Sequence, residues 1–128
     1  MQDRPNAAEL AEAVREFIET EVLPRIDDPR LRFRALVAVN GLGILEREIA
    51  LGAPLVRREV GSLARLLGHA DALPEDLEEL RGRASELNRE LALRIRAGEI
   101  PEGTLAHLVA TVADKLRVAS PRYLERYR

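Results

Sequence analysis

Residues Ala35 to Leu45 read ALVAVNGLGIL, an apolar run interrupted by one polar side chain, Asn40. A helix that is hydrophobic on every side is stable only when neighbours surround it, so this run is expected at the centre of the fold. An amide buried there must find hydrogen-bond partners or cost the fold stability. Asn40 therefore has two readings. It bonds across the helices and sets their register, or it is the polar anchor of an internal pocket.

The rest of the chain spells helices. Ala, Leu, Glu and Arg dominate, and β-branched runs are absent. Asn6 with Glu9 three residues later forms a capping-box pattern, opening a first helix over Ala7–Leu23 whose inward stripe is Leu10, Val14, Phe17, Ile18 and Val22. A second is predicted over Arg30–Leu51, with Gly52 as its C-cap and Gly41 as a point of close helix crossing. Pro54 precedes a third over Leu55–Leu67, with Val56, Val60, Leu63, Ala64 and Leu67 facing in. The fourth runs Pro74–Ala97, and its Leu77, Leu80, Ala84, Leu87 and Leu91 form a seam suited to antiparallel packing. The fifth runs Thr104–Ala119, with Leu105, Leu108, Val109, Val112 and Leu116 inward; Ser120 and Pro121 then open a short last helix. Short connections favour antiparallel neighbours. The predicted architecture is all-α: one domain, residues 1–128, folded as a mostly antiparallel five-helix bundle with a short C-terminal helix.

Composition narrows the function classes. The chain has 128 residues, a net charge of −2, two Phe, two Tyr, no Trp and no Cys. Thiol chemistry and disulfides are excluded. A nucleic-acid surface needs a basic face and stacking aromatics, and neither is supplied, so no nucleic acid is expected. No apolar run approaches the roughly 20 residues of a membrane span, so no membrane partner is expected and the location is read as cytoplasmic. His69 and His107 have no metal-ligand spacing, so no metal is expected. The serines lie in helical or capping contexts without a nucleophile elbow. No cofactor and no catalytic residue is predicted, and the chain reads as non-catalytic.

Several polar residues break the pattern. Arg94 occupies a seam position of the fourth helix; either its stem lies over apolar neighbours or it pairs with an acid such as Glu48. Arg47 and Glu48 read as a helix-end ion pair. His107, Thr111 and Asp114 share one side of the fifth helix and read as a solvated face. Arg30, Arg32 and Arg34 at a helix start either pair with Asp27 and Asp28 or bind an anion. Asn40, Arg30, Arg34 and Arg94 are thus the candidate ligand-binding residues. In the tail, Tyr123, Leu124 and Tyr127 form an apolar face that either docks on its own bundle or serves subunit contact.

The segments MQDRPNAAELAEAVREFIETEVLP, RALVAVNGLGILERE, RAGE at Arg96–Glu99 and DKLRVASPRYL resemble a family of small bacterial helical proteins catalogued as a domain of unknown function. Members are often encoded beside acyl-CoA dehydrogenases and proteins similar to aminoglycoside phosphotransferases. The resemblance implies a link to acyl-CoA metabolism and carries no catalytic residues. The expected function is an accessory protein that docks on itself as a homo-oligomer, or on a partner such as an acyl-CoA dehydrogenase or a kinase-like protein. The alternative is a bundle that binds a CoA-type or other anionic small ligand in a pocket near Asn40. An uncharacterised enzyme is third.

Overall fold

The computed structural model describes residues 3–126. Among them there is no strand, and five α-helices carry the fold: α1 (Ala7–Phe17), α2 (Pro29–Leu67), α3 (Leu77–Arg96), α4 (Thr104–Ala119) and the short α5 (Pro121–Arg126). The all-α class and the short C-terminal helix agree with the sequence. The helix count is reached differently, because two expected helices run as one.

α1 opens on the predicted capping box: the Glu9 N–H donates to Asn6 Oδ1 at 2.9 Å, and the Asn6 N–H donates back to Glu9 Oε1 at 3.4 Å. It continues into a π turn, Ile18–Val22, and a 3₁₀ turn, Leu23–Arg25, that contains Pro24. α2 starts with Pro29 in the first turn and Asp28 as cap, accepting from the Leu31 N–H at 3.1 Å. It then runs 39 residues, roughly 58 Å at 1.5 Å per residue. The break expected at Gly52–Pro54 does not occur. An interior proline removes one hydrogen bond and costs about 3 kcal/mol, which contacts along both halves of α2 outweigh. Gly52 is not a left-handed cap but a buried helical residue over which the Glu48 side chain folds. The actual stop is Gly68, with φ of 77°, where the His69 N–H reaches back to the Ala64 carbonyl at 2.8 Å.

α1, α3 and α4 each pack on α2, and among the described residues none of the three packs on another. α1 is antiparallel to the first half of α2, since Arg15 meets Glu46 while Leu23 meets Arg32. α4 is antiparallel to the second half, with His107 beside Ser62 and Val118 beside Arg47. α3, however, runs the same way as α2: Arg81 meets Glu48, Asn88 meets Glu59, and Glu90 meets His69. The segment between α2 and α3 makes this possible by doubling back along α2, where Arg57 Nη2 donates to the Pro74 carbonyl at 3.3 Å.

The core is the α2–α3 interface, made by Val60, Leu63, Ala64 and Leu67 against Leu80, Ala84, Leu87 and Leu91. These are the stripes read from the sequence, and fully burying each large side chain contributes roughly 1.5–3 kcal/mol. Elsewhere the stripes turn outward. Leu10, Val14 and Phe17 of α1 are exposed, and so are Leu105, Leu108, Val109 and Val112 of α4. The run Ala35–Leu45 is not enclosed: α1 covers one side, while Leu36, Val37, Asn40 and Leu45 are exposed.

Candidate functional site

Asn40 is solvent-exposed rather than buried, so it is not a register-setting core amide. It lines an open groove of about 580 Å³ between α1, α2 and the α4–α5 junction. Arg15 comes from α1, Glu19 from the π turn that follows it, Asn40, Gly43, Glu46 and Arg47 from α2, and Ser120 and Arg122 from the junction. Both carboxylates bind Arg15: its Nε donates to Glu46 at 2.9 Å and its Nη1 to Glu19 at 3.0 Å. The Glu46 hydrogen bond, with the Coulomb attraction of both acids, raises the already high Arg15 pKa. Arg47 donates from Nε to the Val118 carbonyl at 2.7 Å, tying down the C-terminal end of α4. It lies across α2 above Gly43, where an added methyl would sit 3.4 Å from Nη1. Three guanidinium groups and two carboxylates therefore line the groove, leaving it weakly cationic.

The glycine that permits a close approach is Gly43; Gly41 has open space around it, so no helix crosses there. Arg47 and Glu48 do not form the expected helix-end pair. Glu48 instead accepts from Arg81 Nη2 at 3.0 Å across the α2–α3 interface. Arg94 likewise does not reach Glu48 but lies 3.7 Å from Glu90, one turn earlier on α3. Arg30 and Arg34 are exposed near the start of α2 and do not line the groove. Arg32, between them, donates to the Leu23 carbonyl at 2.9 Å and fixes the turn from α1. Tyr123 is half-exposed and Leu124 lies against α4, while Tyr127 falls outside the described residues.

A second polar cluster is the one that sequence reasoning misplaced. Thr104, His107 and Asp114 are buried, with α4 turned so that its polar side faces α2. His107 Nδ1 lies 2.6 Å from Ser62 Oγ, and its Nε2 is buried without a partner. Burial pushes the His107 pKa below its ordinary value, against an opposing pull from Glu59. With the neutral ring donating from Nδ1 to Ser62, the orphan Nε2 is a bare acceptor, cheaper to bury than an unpaired N–H. Asp114 is held by Arg58 and by Arg117. A serine beside a histidine is half of a nucleophilic pair, but catalysis also needs a group that orients the imidazole and donors for an oxyanion. Here the other ring nitrogen has no partner, and Asp114 belongs to two arginines. This cluster fastens α4 to α2.

The fold and groove define an all-helical module built along one long helix, without a converged catalytic set among the described residues. Residues 24–123 match a domain of unknown function, DUF6285, and the chain belongs to that family. No curated protein and no solved structure matches the chain. Among the described residues, no helix is long and apolar enough to cross a membrane.

Proposed function

We propose that this chain is a non-catalytic interaction protein that works as part of an oligomer, in the service of acyl-CoA metabolism. The observation that carries the oligomer is surface area. A compact globular protein of 14.3 kDa exposes about 6,800 Å², whereas this chain exposes 9501 Å². The excess is roughly 2,700 Å², more than the ~800 Å² that each partner of a standard interface buries. The exposed surface includes the large apolar side chains Phe17, Phe33, Leu105 and Val109. Faces of that kind mark interaction sites. The metabolic assignment rests on the family resemblance and names an acyl-CoA dehydrogenase or a kinase-like protein as the heterologous partner. Sedimentation of the purified protein is expected to give an oligomer, and affinity capture with the tagged protein to recover one of those enzymes. A strict monomer that captures neither overturns the reading.

A second reading is favoured by the groove at Asn40, where Arg15, Arg47 and Arg122 line a volume of about 580 Å³. A CoA-type ligand would place a phosphate there rather than at Arg30 and Arg34. Specific binding raises the melting temperature with ligand concentration. No shift with CoA or acyl-CoA at millimolar concentration removes this reading.

A further inference from the structure

The exposed stripe of α4 has a pattern of its own. Leu105, Val109, Val112 and Leu116 recur at spacings of four, three and four, which is the a/d seam of a paired helix. Leu105, Val109 and Val112 are 75%, 62% and 54% exposed and Leu116 is half-buried, while His107 and Asp114 on the opposite face are buried against α2. A helix that puts its polar side on its own fold and presents a bare heptad seam outward has a second helix to meet.

The order of residues says which helix. The seam reads Leu–Val–Val–Leu, the same in both directions, so it is complementary to itself when reversed. We propose that α4 pairs with α4 of a second copy, antiparallel, about a two-fold axis passing between Val109 and Val112. Leu105 then packs on Leu116 of the partner subunit, and Val109 on Val112 of the partner subunit. On one flank Leu108 lies beside Lys115 of the partner subunit, whose aliphatic stem can cover it. On the other flank Ala106 lies beside Ala113 of the partner subunit, so no like charges are opposed along the seam. Leu124 of α5 extends the same face, enclosing with Leu108, Val109 and Leu116 a shallow apolar hollow of about 340 Å³. Such a contact is isologous and closes as a dimer. This inference rests on the oligomer reading above and specifies its interface.

Two experiments test it. Val109→Glu places a carboxylate on the seam, and the sedimentation mass is expected to fall to that of one 14.3 kDa chain with helical circular dichroism retained. The chain has no cysteine, so Leu105→Cys and Leu116→Cys introduce unique thiols. Oxidising a mixture of the two variants is expected to give a cross-linked pair, while either variant alone gives none, because like positions lie on opposite sides of the axis. Cross-linking within a single variant, or none in the mixture, overturns the antiparallel pairing, and this arm decides the matter if Val109→Glu does not fold. A wild-type oligomer unchanged by Val109→Glu overturns the α4 interface and leaves the oligomer standing. A monomeric wild type overturns both.

Discussion

His107 shows how much one side chain's surroundings decide. Sequence spacing alone set it on a wet face, yet it is buried beside Ser62 with Nε2 unpartnered. Its pKa is lowered in the fold by burial, so the unfolded chain takes up a proton more readily. Stability attributable to His107 is therefore full above the unfolded value, roughly 6.5, and is lost as pH falls below it, levelling off beneath the folded pKa. Wild type is expected to lose melting temperature between pH 7.5 and 5 by more than His107→Gln does; equal losses in the two would remove His107 as the cause. The glycines make a second comparison at this scale. Gly41 has open space around it, while a methyl at Gly43 crowds Arg47. Gly41→Ala should gain up to ~1 kcal/mol from helix propensity, and Gly43→Ala less, since Arg47 must give way while bonded to Val118. Urea unfolding of the two variants checks the order.

At the scale of elements, helix existence was legible and helix continuity was not. The capping box at Asn6, the stop at Gly68 and the inward stripes of Val60–Leu67 and Leu80–Leu91 follow local chemistry and periodicity, and all are realised. Gly52 and Pro54 carry the local signals of a boundary, but partners packed on both sides of them override those signals. Pro54 remains a cost inside α2, so Pro54→Ala is expected to raise the unfolding free energy by about 1–3 kcal/mol. A loss of stability instead would mean that the proline shapes the helix for its partners. The direction of α3 was equally hidden. A seam of leucines specifies which face is buried and says nothing about which way the neighbour runs. The segment that doubles back from Gly68 decides that.

For the whole molecule, the stripes of α1 and α4 were correctly found and wrongly assigned. Leu10, Val14 and Phe17, like Leu105, Val109 and Val112, are buried-type patterns that stand exposed on the isolated chain. Periodicity reports that a face is apolar, not what, if anything, packs on it. If a second copy packs there, the melting temperature rises with protein concentration by mass action. A midpoint constant across a hundredfold range of concentration would instead indicate a monomer. The candidate groove was not legible in that way: Asn40 was read as a core amide or the anchor of an internal pocket, but it stands exposed in an open groove that Arg15, Arg47 and Arg122 reach from three separate elements, and no spacing rule brings those together.

What the sequence determined by itself is local: the all-helical class, the caps at Asn6 and Gly68, and the apolar stripes, two of which pack together as the α2–α3 core. These depend on neighbours within a few turns, which a linear pattern records. The tertiary structure alone decided that α2 is continuous, that α3 runs with it, that α4 puts its polar side inward and that Asn40 stands in an open groove. Each of those depends on contacts between segments far apart in the chain, where packing free energy outweighs local propensity.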